Sequence, residues 1–301
     1  RLEADFHVIT GKVAAAQNIK RCVERAGLQM LGLVLEPLAS SASVLKAEEM
    51  EAGVALVDIG GGTTDIAIFE DGIIRHTAVI PFAGDIVTQD IKNDCQVLRS
   101  QAEKLKVRFG CAIAQEAQEH EVIKIQGIAG HDMKEITMRS LAHIIQCRME
   151  EIFAAVHFEI RNSGLQNNLI GGIVVTGGGS QMMHLKQLVE YVTGYPARIG
   201  RPTEHIAKDT KDELKNPMYA TGLGLVLKGY EALAEDEENK ANKKKTPAVV
   251  VEENSTPIAA PIQEEPKVPS PPKRKGDKWW TKLNNDIKEW FADTDVNKDF
   301  D

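Results

Sequence analysis

The stretch 54–69 (V-A-L-V-D-I-G-G-G-T-T-D-I-A-I-F) constrains this chain more than any other. Its apolar ends are short enough to predict two buried strands. The turn between them holds three consecutive glycines, flanked by Asp58 and Asp65. Glycines let several backbone N–H groups converge on one concavity, which makes an anion site. An ordinary glycine-rich hairpin is the alternative, but three glycines exceed what a two-residue turn needs. We therefore predict phosphate binding, with Asp58 as the partner of a metal ion on that phosphate.

Composition limits the remaining function classes. The chain has 301 residues, 43% of them hydrophobic, and a net charge of -8, which indicates one or two soluble globular domains and no general nucleic-acid binder. Its four cysteines form no C-x-x-C pair, so reduced, cytosolic thiols are expected. No apolar run reaches the roughly 20 residues of a membrane-spanning helix. Because the chain opens at Arg1 rather than Met, we expect a C-terminal piece of something longer.

Periodicity predicts alternating strands and helices in two blocks. In the first block we expect strands over 4–10, 28–35 and 72–81, and helices over 14–26, 38–50 and 85–95. The second block, residues 99–162, reads as a small α/β insertion. It has a short helix over 101–108, a strand over 121–126 and a long helix over 136–161. The core face of that helix is predicted to be Ile145, Met149, Ile152, Val156 and Ile160.

A second glycine loop follows another predicted strand, residues 169–175. The sequence there is T-G-G-G-S (176–180), with a helix expected near Gln181. Strand, glycine loop and helix N-terminus together form an anion or nucleotide cradle. The signal is weak alone but stronger beside the first loop. A last globular helix is predicted over 217–233.

The C-terminal part changes character twice. Residues 231–276 hold seven of the twelve prolines, an acidic run and a lysine run, which predicts a disordered linker. Residues 277–301 then predict an amphipathic helix and tail. A basic cluster precedes this helix, and its aromatic face fits an interfacial membrane anchor. The alternatives are a helix folded back onto the main domain and a helix in a partner's groove. The predicted membrane-contacting residues are Trp279, Trp280, Leu283, Ile287, Trp290 and Phe291.

These motifs together resemble the actin-like ATPase superfamily. The two glycine loops resemble its second phosphate loop and its adenosine loop, while E-P-L-A-S-S (36–41) and Y-A-T-G-L-G (219–224) resemble its two connecting helices. Three further runs are similar to one member, the bacterial cell-division family FtsA: 71–84, 103–112 and 172–180. The resemblance implies an α/β fold with an actin-like, ribonuclease H-like lobe. Residues 1–52 would close the first lobe, residues 53–98 and 163–230 would form the second, and residues 99–162 would bind the division protein FtsZ.

The resemblance also implies roles for individual residues. It implies that Asp58 and Glu36 reach Mg²⁺ through its waters and orient an attacking water, and that Arg148 contacts the C-terminal peptide of FtsZ. Arg148 as an ordinary solvated charge is the alternative. The residues expected to hold ATP are Gly60, Gly61, Gly62 and Thr63 at the β- and γ-phosphates, Glu103 and Lys106 at the ribose and adenine, and Gly177, Gly178 and Gly179 under the nucleoside.

The function implied is that of an ATP-binding adaptor, at most a weak ATPase. It would polymerise, bind FtsZ and other division proteins, and lie on the cytoplasmic face of the cell membrane at the division site. One alternative is a soluble enzyme on the same fold, a chaperone-type ATPase or sugar kinase. Another is a filament or pilus-assembly relative that does not bind FtsZ.

Overall fold

The computed structural model of the protein describes residues 2–3, 6–118, 120–127, 133–204, 206–207 and 210–245. Most of the predicted linker and the whole predicted amphipathic helix, with its six membrane-contacting residues, lie outside the described residues. The described residues form a mixed α/β structure, which confirms the predicted fold class.

A five-stranded mixed sheet organises the structure. Its order is β3-β2-β1-β6-β7, with β1 antiparallel to β2 and parallel to β6. A separate antiparallel hairpin pairs β4 with β5. The strands are β1 (Val54–Ile59), β2 (Thr64–Glu70), β3 (Ile73–Ile80), β4 (Val122–Ile125), β5 (Lys134–Thr137), β6 (Ile173–Thr176) and β7 (Ala197–Ile199).

Helices cover both faces of this sheet, so the structure has three layers. Buried side chains of α4, α6 and α7 form the larger core on one face, and residues of α2 and α8 pack on the other. All five residues predicted as the core face of the long helix are buried. The helices are α1 (Val13–Arg25), α2 (Glu36–Val44), α3 (Ala47–Ala52), α4 (Gly84–Cys95), α5 (Arg99–Phe109), α6 (Met138–Asn162), α7 (Leu185–Thr193) and α8 (Ala220–Lys245).

The strand register brings the two glycine loops together. In β1, Asp58 lies opposite Asp65 of β2 and beside Thr176 of β6. The first glycine loop follows β1, and the second follows β6. Because β1 and β6 are parallel neighbours, both loops leave the same edge of the sheet, where ligands of α/β proteins bind.

Two predicted strands are wrong. Of the first, the described residues 6–10 form no strand, and neither do residues 28–35. Their apolar residues are largely exposed, for example Phe6 at 83% and Leu31 at 85%. A strand needs a hydrogen-bonded neighbour, and no strand in the described part of the chain pairs with either segment.

Several element boundaries also differ from the predictions. The helix predicted over 38–50 is two helices, because Leu45 has an extended backbone that ends α2. The second glycine loop itself forms a short 3-10 helix, Gly178–Gln181, and α7 begins only at Leu185. Strands β5 and β7 were not predicted. Helix α8 continues to Lys245, within the range read as linker.

Candidate functional site

The two glycine loops, α4 and α5 surround a cleft of about 600 Å³. The cleft brings together three sequence motifs that lie up to about 120 residues apart. Six of the predicted ATP-contacting residues line it, namely Gly60, Gly61, Glu103, Lys106, Gly178 and Gly179. Gly62, Thr63 and Gly177 belong to the same loops without lining the cleft.

The first glycine loop is held in shape by the start of α4. The N–H of Gly60 donates to the carbonyl of Thr63 (3.0 Å), which closes the turn. The N–H groups of Gly84 and Asp85 donate to the carbonyls of Gly60 (3.1 Å) and Gly61 (2.7 Å). Within the described part of the chain, the N–H of Gly61 donates to no protein acceptor. That donor is available to an anion in the cleft.

Lys106 on α5 supplies a positive charge at the floor of the cleft. Its ammonium donates to the carbonyl of Gly84 (2.9 Å) and to the Thr88 hydroxyl (2.8 Å), and pairs with Glu103 at 2.9 Å. Burial favours the neutral form of Glu103, but hydrogen bonds from Lys106 and Thr88 outweigh it, so the pKa of that carboxyl lies below its ordinary value. The Glu103 carboxyl is therefore ionised at neutral pH.

The second glycine loop passes close beneath β1. Gly177 has φ of 85°, a left-handed backbone that favours glycine. A Cβ on Gly179 would lie 2.5 Å from the Ile59 side chain. The Ser180 hydroxyl donates to the carbonyl of Gly177 (2.7 Å) and closes the turn. Glycine here keeps the backbone flat against the sheet and leaves its outer surface open to a ligand.

Three carboxyl groups share the edge of the sheet next to the loops: Glu36, Asp58 and Asp65. Asp58 is buried, and its Oδ2 accepts a hydrogen bond from Ser40 (2.9 Å). Burial raises the pKa of all three groups. Repulsion from Asp65 raises the pKa of Asp58 further, and repulsion from both aspartates raises that of Glu36.

This acidic group fits a cation held through water. A positive ion would relieve the repulsion between the carboxylates. Among the described residues, no three histidine, cysteine or acidic side chains are arranged to hold a metal ion directly. Asp65 was noted only as a flank of the loop in the sequence. Its pairing with Asp58 follows from strand register.

Apolar side chains, chiefly methionines, form a further wall of the cleft, and sequence reasoning missed it. Methionines come from α6, from the segment after the second glycine loop and from the turn before α8. The adjacent pair Met182-Met183, directly after the loop, was the available signal. The apolar lining residues are Ile59, Val87, Val107, Met149, Met182, Met183 and Met218.

Arg148 does not line the cleft and is already paired. Its guanidinium binds both carboxylate oxygens of Asp90 on α4, with Nη2 at 3.1 Å from Oδ1, and Nη1 donates to Glu151. These hydrogen bonds raise the pKa of the guanidinium. Arg148 is therefore a partly covered ion-paired group, which the solvated-charge alternative did not anticipate. Its contact with a peptide remains a prediction.

Comparison with known proteins decides the family. The family model "Cell division protein FtsA" matches residues 55–224, more than half of the chain. The chain belongs to the FtsA family. It is 46% identical over 231 residues to the FtsA of Pseudomonas aeruginosa, covering 77% of this chain and 55% of that protein. It is 37% identical to the FtsA of Neisseria meningitidis, covering 75% of this chain and 54% of the relative. The chain thus spans about half the length of these FtsA proteins.

Solved structures show that the fold is actin-like. MreB5 of Spiroplasma citri bound to AMPPNP superposes with a TM-score of 0.63 at 18% identity, over 76% of this chain and 68% of that one. The type IV pilus biogenesis complex PilM-PilN gives a TM-score of 0.57 at 20% identity, over 71% of this chain and 57% of that one. At this identity the likeness concerns the fold alone.

No helix in the part of the chain that the structure describes is both long enough and apolar enough to cross a bilayer.

Proposed function

We propose that this FtsA-family chain supplies one side of an ATP site and acts as an adaptor of cell division. The observation that carries the proposal is the cleft, in which both glycine loops and the Glu103–Lys106 pair line one cavity. A volume of about 600 Å³ lies in the ordinary range for a small-molecule site.

Each part of the cleft suits one part of ATP. The first glycine loop would bind the phosphates, and Glu103 and Lys106 would contact the ribose and adenine. The flat backbone at Gly178 and Gly179 would support the nucleoside. The methionine-rich wall offers apolar surface to the adenine. Mg²⁺, held through its waters by Asp58 and Glu36, would neutralise the phosphates. ATP would chiefly set conformation and assembly, with weak hydrolysis at most.

Binding of a fluorescent ATP analogue in the presence of Mg²⁺ tests the cleft. We expect Lys106→Gln to weaken binding about tenfold, equivalent to about 1.4 kcal/mol. Lys104→Gln is the matched control, because Lys104 lies on the same helix but is exposed and does not line the cleft. Equal affinities of both variants and the unchanged chain would contradict the assignment, as would an unchanged chain that binds no nucleotide.

The adaptor role adds two partners. Arg148 on α6 would contribute to binding the acidic, apolar C-terminal peptide of FtsZ, since arginine binds carboxylates through two parallel hydrogen bonds. The aromatic residues of 277–301 would attach the chain to the cytoplasmic face of the membrane at the division site. Self-association into filaments would follow from the actin-like fold.

Vesicle co-sedimentation tests the membrane attachment. The full chain is compared with a version that stops at Gly276, using anionic and neutral lipids. We expect only the full chain to pellet, and more strongly with anionic lipid because a basic cluster precedes the aromatic helix. If both versions remain in solution, the membrane role is wrong. A soluble ATPase, or a filament relative without FtsZ binding, would then be the better description.

A further inference from the structure

The pair formed by Arg148 and Asp90 joins α6 to α4, two helices that border the cleft. Both guanidinium edges of Arg148 are used, one by Asp90 on α4 and the other by Glu151 on α6. The side chains of Arg148 and Asp90 are each about three-quarters covered, with 25% and 23% exposed. Ion pairs that are bidentate and shielded from water are stronger than ordinary surface pairs.

Helix α4 holds the walls of the cleft at its other end. Its first residues donate hydrogen bonds to the carbonyls of Gly60 and Gly61. Thr88, two residues before Asp90, contacts both Lys106 and Glu103. A helix packed in a core moves as a unit, because the interior is too densely packed to deform continuously. A shift of α4 at Asp90 therefore reaches the phosphate loop and Lys106.

Helix α6 also borders the cleft. Met149 lines the cavity, and it follows Arg148 directly in sequence. The ion pair thus links α6 to α4 one residue away from the cleft-lining Met149. Breaking it would leave Asp90 partly buried without its counter-charge, which is unfavourable for the packed position of α4.

We propose that the Arg148–Asp90 pair couples nucleotide binding in the cleft to the binding of an acidic peptide on α6. A peptide carboxylate that binds the guanidinium of Arg148 displaces Asp90, and α4 then holds the phosphate loop and Lys106 less firmly. The two ligands therefore oppose each other. By thermodynamic linkage, nucleotide lowers the affinity for the peptide by the same factor. This inference rests on the proposed function, since it concerns regulation of the same cleft.

Asp90→Asn in the complete 301-residue chain separates coupling from simple structural support. The variant keeps the shape of the side chain but removes the charge that competes for Arg148. We expect the fluorescent ATP analogue to bind about fivefold more weakly and an acidic FtsZ C-terminal peptide about fivefold more tightly. If the ion pair only supported the structure, both ligands would bind more weakly to the variant. Opposite shifts of the two affinities are therefore the decisive result.

Two further variants complete the experiment. Arg148→Lys keeps the positive charge but loses the two-pronged geometry, and we expect both ligands to bind more weakly. Glu151→Gln is the control, because Glu151 lies on α6 and pairs with Arg148 without contacting α4. It should change nucleotide affinity less than about twofold. Saturating peptide should weaken nucleotide binding to the unchanged chain but not to Asp90→Asn.

The outcomes are distinguishable. If the unchanged chain binds no nucleotide, the proposed function is overturned and this inference falls with it. If it binds nucleotide but no acidic peptide, the coupling is overturned while the nucleotide site stands. If the unchanged chain binds nucleotide and Asp90→Asn leaves both affinities unaltered, only the coupling is overturned. Parallel losses for both ligands in Asp90→Asn would likewise overturn the coupling and leave the pair as structural support.

Discussion

At the scale of single residues, the acidic group at the sheet edge stands out because its geometry is unfavourable for the protein alone. Asp58 is buried, and it lies opposite a second aspartate in the neighbouring strand. Hydrogen bonds from Ser40 and, more weakly at 3.5 Å, from Thr221 do not offset the burial, so the pKa of Asp58 remains raised. Such residues are typical of functional sites, where stability is lower than the fold would allow.

Asp58→Asn should therefore stabilise the chain. A carboxyl whose pKa is raised in the folded state binds more protons there than in the unfolded state. Its contribution is favourable below the unfolded pKa of about 3.9 and is lost as pH rises through the raised folded value. We expect the melting temperature of the variant to exceed that of the unchanged chain by more at pH 8 than at pH 4. Thermal melts across this range measure the difference.

The matched control is Asp71→Asn. Asp71 is exposed and pairs with Arg75 at the surface. The difference in melting temperature between this variant and the unchanged chain should stay small. If Asp58→Asn lowers the melting temperature at pH 8, the prediction is wrong. The negative charge of Asp58 is then well compensated in the folded chain.

At the scale of elements, the crossing of α2 and α8 sets the position of Asp58. The Ser40 hydroxyl lies 2.9 Å from both Asp58 and Thr221, and the Ser43 hydroxyl donates to the carbonyl of Ala220 (2.7 Å). A Cβ on Gly224 would lie 1.7 Å from the carbonyl oxygen of Ala39. The helices therefore approach closely enough that only glycine fits at this crossing.

Gly224→Ala should destabilise the chain by about 1–3 kcal/mol, because the added methyl group forces the two helices apart. In an open helix, alanine is more favourable than glycine by up to about 1 kcal/mol. A loss of stability therefore reports the close contact between α2 and α8. Denaturant unfolding with and without the substitution gives the value. Gly229→Ala is the control, because Gly229 lies on the same helix with open space around it. This substitution should leave the stability unchanged or increase it. Equal effects of the two substitutions would contradict the close crossing.

At the scale of the whole molecule, the described residues among the first 34 contribute little to the core. Helix α1 has no buried residue, and the exposed apolar side chains of this segment include Phe6, Val8 and Leu31. Apolar residues contribute to stability only in proportion to the area that they remove from water. The fold of this chain therefore depends on the sheet and its two helical layers.

A chain that begins at Leu35 should unfold nearly as the complete chain does. We expect a fall in melting temperature of at most about 4 °C, which corresponds to roughly 1 kcal/mol for a domain of this size. Ile152→Ala is the contrasting variant, since Ile152 is fully buried on α6, and it should cost about 2–5 kcal/mol. Calorimetry on the three proteins makes the comparison. A large loss on truncation would show that the first 34 residues stabilise the fold.

The sequence alone determined the parts of the molecule that depend on local pattern. The apolar runs around the first glycine loop predicted β1 and β2, and the 3.6-residue spacing of Ile145, Met149 and Ile152 predicted the buried face of α6. These predictions were correct because burial of one face is encoded in neighbouring residues. The resemblance carried by the glycine motifs named the right family.

The tertiary structure decided what depends on distant partners. Residues 28–35 have the composition of a strand, but no strand in the described part of the chain lies beside them. Strand β7 was too short to recognise without its neighbour β6. Three features join segments that are separate in sequence. They are the acidic group that contains Asp58 and Asp65, the methionine wall, and the pairing of Arg148 with Asp90. Strand register and helix packing bring them together, and neither is a property of any one stretch of the chain.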